Sequence, residues 1–479
     1  MRTKLFNVKF AKRDLTPLAL RERDGVRETG MASFAMPVAA AVLSCATFFS
    51  CAALATPQIQ HWKAPSGARV YFVENHDLPI LDVAVDFTAG SSFDTAEKTG
   101  LAGLTHSLLN LGAEGMSEDD IARNLADIGA QMGGRLDADR SGMSLRTLSS
   151  AAERDQALDI LARVLQRPLF PEAILAREKT RLIAELKEAE TKPESIAGKA
   201  FGKAVFGAHP YGLSTEVSSV EKIQRDDVDA FYRAHYFANA AVISIMGDVT
   251  RAEAEAIAQQ LTVQLPQGGD AGSIPAVAMQ IDASEQRIAH PATQSHILIG
   301  VPGMARKDPD YFPLYVGNYI LGGGGFVSRL MNEVREKRGL AYNVYSYFVP
   351  TRLPGFFEVG LQTKKEQADE ALQLVRATLR EFIAKGPTAK ELQAAKQNII
   401  GGFALRIDSN KKILEYLSVI GFYELPLTYL DDFTDKVDKV TVAQIHDAFK
   451  RRINPDAMAT VIVGAPDGKE PGDKAEHGQ

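Results

Sequence analysis

Arg335 and Tyr342 are residue types that can hold a carboxylate or steady a developing oxyanion, because both donate hydrogen bonds to oxygen. They stand seven positions apart in LMNEVREKRGLAYNVYSYF, residues 330–348, with Gly339 between them. A glycine at that point predicts the end of a helix and the start of a strand. An arginine at a helix end and a tyrosine on the next strand can then converge. The spacing leaves a second reading open: an interhelical ion pair for Arg335 and a half-buried strand aromatic for Tyr342. Tyr345 and Tyr347 share the strand alternation and read as packing residues. Just upstream lie Gly322, Gly323, Gly324 and Gly325. Each costs roughly 1 kcal/mol of chain entropy over alanine. They form either a flexible loop between helices or a surface that lets another backbone approach, as an extended peptide pairing along a sheet edge requires.

Other familiar chemistries find little support. No two of the 9 histidines stand four apart, so no helix offers two imidazoles to one zinc ion. A G-x-S-x-G elbow, a phosphate loop and a dinucleotide fingerprint after a strand are all missing. His106 falls off the apolar stripe Leu101, Leu104, Leu108 and Leu111, and reads as a polar-side or locally bonded histidine. Glu185, Glu188 and Glu190 sit in a charged helix and read as a solvated face. His209-Pro210-Tyr211-Gly212 reads as a loop that could lock a turn.

The elements that must position these residues belong to an ordinary globular chain of 479 residues, 45% hydrophobic and 24% charged. A formal net charge of -6 gives no basic surface for nucleic acid. Residues 34–55, FAMPVAAAVLSCATFFSCAALA, are uncharged and end in a small-x-small cleavage signal at Ala55. They predict a cleaved signal peptide and export to a periplasm; the alternative is one inner-membrane anchor. The stretch before this run is long for a signal peptide, so the true start could lie near Val26 or at Met31. Both cysteines, Cys45 and Cys51, lie in this run, so the cleaved chain has no thiol chemistry.

Two matching segments, 220–249 and 437–466, each carry Asp-Ala-Phe in a short helix, then a loop and an apolar strand closing on Gly247 or Gly464. They indicate a duplicated domain. Strands are predicted at 69–73, 80–87, 296–301 and 355–363, and helices at 117–128, 151–166, 173–190, 365–385, 388–404 and 410–421. The expected organisation is a leader (1–55), a first domain (56–262), a linker (263–289), a second domain (290–466) and a disordered tail (467–479). The fold class is α+β, each domain a mostly antiparallel sheet packed against helices.

The stretch LGGGGFVSRLMNEVREKRGLAYNVYSYF, the loop FGAHPYG at 206–212 and the duplication together resemble the insulinase/pitrilysin metallopeptidase family, which includes the mitochondrial processing peptidase and bacterial members of similar length. The resemblance covers about residues 59–466. It implies half of a clamshell chamber. Active members carry H-x-x-E-H on the first helix and a distal glutamate ligand. Here the matching residues are Gly103, Leu104, Thr105, His106 and Ser107, with Glu185 at the distal position. Both ligand histidines and the general-base glutamate are thus replaced, and no metal is expected in this chain. The resemblance also implies that Arg335 places substrate, that Tyr342 stabilises the tetrahedral intermediate, and that Gly322, Gly323, Gly324 and Gly325 face the chamber. The implied role is a zinc-free subunit paired with a homologous zinc-bearing chain and acting on peptides or unfolded segments. The alternative is a non-catalytic scaffold or peptide-binding protein.

Overall fold

The structure is a computed structural model that describes residues 58–268 and 271–464. The predicted leader and tail, with the cleavage site and both cysteines, lie outside the described residues.

Alternating apolar positions build two sheets. In the first half the strands are β1 (Gln60–Lys63), β2 (Arg69–Glu74), β3 (Ile80–Phe87), the short hairpin β4 (Gly112–Ala113) and β5 (Met116–Ser117), β6 (Gln131–Leu136), β7 (Ser141–Leu148) and β8 (Val242–Gly247). The helices are α1 (Leu101–Leu108), α2 (Glu118–Asp127), α3 (Ala151–Gln166), α4 (Glu172–Ala189), α5 (Pro193–Phe206), α6 (Val217–Lys222), α7 (Arg225–His235) and α8 (Arg251–Thr262). The second half holds β9 (Ser284–Ile288), β10 (Gln294–Pro302), β11 (Ala341–Phe348), β12 (Phe356–Lys364) and β13 (Ala459–Val463). Its helices are α9 (Tyr311–Asn318), α10 (Ala368–Lys385), α11 (Ala389–Gly401), α12 (Asn410–Phe422), α13 (Tyr429–Asp438) and α14 (Val442–Arg452).

The duplication is written in the strand order. The first sheet runs β1-β2-β8-β3-β7-β6 and the second runs, from its other end, β9-β13-β10-β12-β11. In both, one parallel pair (β2 with β8, β9 with β13) is followed by antiparallel pairs out to an edge strand, β6 or β11. Strand β9 falls inside the segment read as linker, so the second sheet begins before residue 290.

The central strands of each sheet are buried on both faces, and the alternation of side chains assigns each face its own helices. Val70, Phe72, Val83 and Val85 join Leu158, Leu161 and Ile257 of α3 and α8 in one core. The opposite face, with Tyr71, Val73, Ala84 and Val242, is covered by α12, a helix of the second half. Reciprocally, α5 of the first half lays Ala197, Phe201 and Val205 on Val461 and Val463 of the second sheet. Glycines admit both helices. A Cβ on Gly300 would meet the Phe201 ring at 2.6 Å, and one on Gly421 would meet Tyr71 and Val242 at 2.7 Å.

Polar groups lock this exchange. Asp139, in the turn between β6 and β7, is fully buried. It accepts from Tyr211 Oη at 2.5 Å, from Tyr423 Oη at 2.9 Å and from the Arg352 backbone N–H at 2.7 Å. The turn loop predicted around His209 thus supplies Tyr211 to a hub joining both halves. Nearby, Ser418 of α12 donates to Asp86 of β3 and accepts from Arg140 at 2.8 Å and Arg135 at 2.7 Å.

Candidate functional site

The segment from Tyr319 to Phe348 departs repeatedly from regular backbone. Helix α9 ends in a π-helical turn, Tyr319–Gly323, closed by Gly324 N–H on Tyr319 O at 2.8 Å. A single tight turn, Gly325–Val327, follows and carries Phe326 and Val327 into solvent, 58% and 77% exposed. A second π-helical segment, Met331–Glu336, carries Arg335. Such wide turns are uncommon and concentrate at functional sites.

Gly339 then reverses the chain with a left-handed φ of 62°. Its N–H bonds Arg335 O at 2.8 Å and the Leu340 N–H bonds Val334 O at 3.0 Å, the pattern of a glycine-terminated helix. This is the helix end and strand start that the spacing predicts. Along β11, Ala341 pairs with Thr363 and Asn343 with Gln362, so Tyr342 is the extra residue of a β-bulge. A bulge residue leaves the ladder and can be re-aimed. Tyr342 is 80% exposed as a result.

These turns bring Arg335 and Tyr342 together. The guanidinium lies 5.0 Å from the centre of the Tyr342 ring and 4.7 Å from that of Phe326. Its nearest carboxylate is Glu336, at 3.7 Å. Arg335 therefore lies within cation–π distance of both rings, with Glu336 as its nearest anionic neighbour. Of the two readings the spacing left open, the structure realises the converged pair, with no interhelical ion pair at Arg335. Phe326 escaped the sequence reading, because nothing in its neighbours says which side chain follows the last glycine outward.

The four glycines divide in role. Gly323 and Gly325 are exposed. Gly322 is buried, and a Cβ there would meet Ser346 Oγ at 2.4 Å and Ser346 N at 2.5 Å. The close backbone approach at Gly322 is thus to the chain's own β11. Tyr345 and Tyr347 pack as expected, stacked at 5.3 Å, and both donate to Glu358, at 3.3 and 2.7 Å. Burial pushes the Glu358 carboxyl above its ordinary range.

The corresponding region of the first half is built on α1. Gly100 opens the helix in the left-handed region, and Asp94 accepts from Gly100 N–H and Ala102 N–H, both at 2.7 Å. Burial raises the Asp94 pKa to about 6, more than those two bonds lower it. His106 Nδ1 pairs with Ser141 Oγ at 2.9 Å, and Tyr236 donates to the same oxygen at 2.7 Å. Burial lowers the His106 pKa to about 4, so the ring is neutral at pH 7. It lies against Gly134 of edge strand β6, where a Cβ would meet Cε1 and Nε2 at 2.4 Å. Gly103, one turn back, faces Leu136.

This donor set does not fit a zinc ion. Gly103 has no side chain, Ser107 offers a hydroxyl, and the one imidazole has Nδ1 committed to Ser141 and its other edge against Gly134. Glu185 is exposed on α4. Among the described residues no three His, Cys, Asp or Glu side chains cluster as a metal site would need.

Residues 69–218 match the family model for insulinase (peptidase family M16), and residues 222–399 match the model for the peptidase M16 inactive domain. A crystal structure described as the peptidase M16 inactive domain from Pseudomonas fluorescens superposes with a TM-score of 0.83 at 38% identity, covering 86% of this chain and 99% of that one. A Helicobacter pylori protein named non-peptidase homolog YmxG is 28% identical over 417 residues, 86% of this chain and 94% of its own length. A Bacillus subtilis protein named uncharacterized zinc protease YmxG is 24% identical over 420 residues, 86% of this chain and all of its own length. A protease structure from Helicobacter pylori shares the fold, with a TM-score of 0.79 at 17% identity over 85% of this chain and 100% of that one.

Proposed function

Because this chain belongs to the insulinase-type peptidase family M16, we propose that it is the zinc-free subunit of a two-chain peptidase. In this reading a homologous partner with H-x-x-E-H binds the metal and activates water. This chain closes the chamber, holds an extended peptide and supplies Arg335 and Tyr342. The observation that carries the proposal is the Arg335 guanidinium within 5.0 Å of the Phe326 and Tyr342 ring centres, beside an 80% exposed phenol. A scaffold needs neither the bulge nor the converged pair.

The first half supports the division of labour. The positions of the zinc ligands hold Gly103 and Ser107, and a neutral His106 stands where the general base would. The name non-peptidase homolog, given to a relative, fits the same reading. Among the edge strands of the two sheets are β6 and β11. An extended peptide can add to such an edge through its backbone. Exposed Gly133 and Gly134 on β6 lower the steric barrier to that approach.

The donor chemistry of the two side chains supports the carboxylate-binding and oxyanion roles. Tyr342 Oη can donate one hydrogen bond to an oxygen that gains charge in the transition state. Arg335 can hold a substrate carbonyl or carboxylate through its fork. The proposed site of action is the periplasm, after removal of residues 1–55.

The test is reconstitution. A candidate zinc-bearing partner is assayed on a quenched peptide library, alone and with the chain beginning at Thr56. Strong hydrolysis only in the mixture supports the proposal. A stable complex on a sizing column with no gain in hydrolysis favours the scaffold reading instead.

A further inference from the structure

The strand that carries Tyr342 presents a second group on its other residues. Alternation along β11 puts Asn343, Tyr345 and Tyr347 on one face, and Val344, Ser346 and Phe348 on the opposite one. Val344 belongs to the large core of the second half, and Phe348 packs against that core. Across the ladder, Tyr345 stands opposite Gly360 and Tyr347 opposite Glu358 of β12. The two tyrosine rings stack nearly parallel, with centres 5.3 Å apart. Gly360 makes room for the first of them, because a Cβ there would collide with the Tyr345 phenol. Phe356 continues the row, its ring centre 6.2 Å from that of Tyr347.

Both phenols lead to Glu358, a carboxylate only 5% exposed. Tyr347 Oη donates to Glu358 Oε1 at 2.7 Å, and Tyr345 Oη donates to the same oxygen at 3.3 Å. Among the described residues, Oε2 accepts no hydrogen bond and neither oxygen forms an ion pair. The buried carboxylates of the first sheet are better met. Asp82 pairs with Arg146 at 2.7 Å and Asp86 with Arg140 at 3.8 Å. Asp139 spreads three hydrogen bonds from Tyr211, Tyr423 and Arg352 over both its oxygens. Two phenols on one oxygen supply hydrogen bonds and no charge, so Glu358 is a buried anion that still lacks a counter-charge.

The row is open to solvent at Tyr347, and Asn343 and Gln362 on the same face are exposed. Aromatic faces and an unpaired carboxylate select one kind of guest, a cation. Strand β11 is an edge of its sheet. A peptide added along that edge alternates its side chains as β11 does, so every second one lies on the face of Tyr345 and Tyr347. Tyr345 follows Tyr342 by roughly 10 Å of strand. The side chain received there is therefore a few residues from the part of the peptide at Arg335 and Tyr342. We propose, resting on the peptide-handling role above, that Tyr345, Tyr347 and Glu358 form a subsite for a basic side chain of an extended peptide lying along β11.

The test is binding of fluorescein-labelled, unstructured decapeptides to the purified chain, with no partner present. The peptides are identical and uncharged except at one central position, which is arginine, its uncharged analogue citrulline, or glutamate. The arginine peptide should bind at least about tenfold more tightly than the citrulline peptide, and the glutamate peptide no better than citrulline. E358Q keeps the size of the side chain and removes its charge, and should bring arginine and citrulline within about twofold of each other. Y347A removes a ring at an exposed position and should cut the preference to about threefold or less. E370Q, at an exposed position of α10, changes net charge equally and should leave the preference intact. Circular dichroism melting confirms that each variant folds, and Y347A serves where E358Q does not. Equal affinity for the arginine and citrulline peptides overturns the proposal. So does a preference that survives both E358Q and Y347A, or one that falls as far in E370Q as in E358Q. Affinity for the citrulline peptide reports the Arg335 and Tyr342 surface separately, so its loss in R335A and Y342F bears on that reading and not on this one. Failure of all three peptides to bind overturns both.

Discussion

Arg335 is available because the backbone around it is irregular. A π-helical segment carries it near Phe326, Gly339 reverses the chain, and a bulge brings Tyr342 within 5.0 Å of it. Y342F keeps the ring under the guanidinium and removes the donor. In a reconstituted complex it should lower kcat by roughly 10²-fold, as loss of one oxyanion donor does, with assembly on a sizing column unchanged. His106 makes a separate prediction. Burial lowers its pKa from 6.5 to about 4. The unfolded chain therefore binds a proton that the folded chain refuses between those values. The stability gained by keeping the ring neutral is present in full above pH 6.5 and is lost as pH falls through about 4. Asp94 opposes it: with its pKa raised from 3.8 to about 6, it favours the fold on acidification over that window. Wild type and H106Q compared by urea unfolding isolate the histidine. The stability gap between them should shrink by roughly 1–2 kcal/mol from about pH 7.5 to about pH 4.5. A gap that stays constant would remove the buried neutral imidazole from this description.

The helices and strands owe their stability to burial against partners from the other half. Helix α12 covers the first sheet and α5 the second, with Asp139 bonded to Tyr211, Tyr423 and the Arg352 backbone between them. Removing that carboxylate leaves the buried Tyr423 phenol, the half-buried Tyr211 phenol and one N–H without that acceptor. D139A should cost about 3 kcal/mol or more in urea unfolding. Because the halves share helices, they should unfold together. The single tryptophan, Trp62, lies in the first half, so its fluorescence and the far-UV circular dichroism should give one midpoint. Two separate midpoints would contradict the interlock. G322A provides a local counterpart: its Cβ has no room against Ser346 and should destabilise by roughly 1–3 kcal/mol. Much of this architecture is legible in the sequence. The Ser117 capping box with Asp120, the helices after Pro171 and Thr388, and the apolar strands β3 and β10 follow from local pattern. Strand β9, SEQRI, is polar and exposed because it is an edge, so it carries no strand signal. The bulge at Tyr342 exists only in the register with β12. An apolar helix face says that α5 and α12 are covered, and does not say by which sheet. The spacing offered the Arg335 and Tyr342 pair only as one of two readings, whereas Phe326 and Asp139 gain meaning only from contacts made in the fold.

The chain as a whole is a duplicated pair of interlocked α+β units, one carrying a converged Arg–Tyr pair and the other a set of residues unfit for zinc. It matches the M16 family over both halves. No helix among the described residues is long and apolar enough to cross a membrane. If export follows the cleavage signal, mass spectrometry of the secreted protein will find Thr56 at its N-terminus; retention of residues 34–55 would mean an anchored form. The sharpest measurement compares wild type with Y342F, each assembled with a zinc-bearing H-x-x-E-H partner, as the rate of quenched-peptide hydrolysis at saturating substrate. A fall of roughly 10²-fold in the Y342F complex, with equal zinc content and equal assembly, is the predicted result. Equal rates would show that the chemistry belongs wholly to the partner and that this chain contributes no group to it.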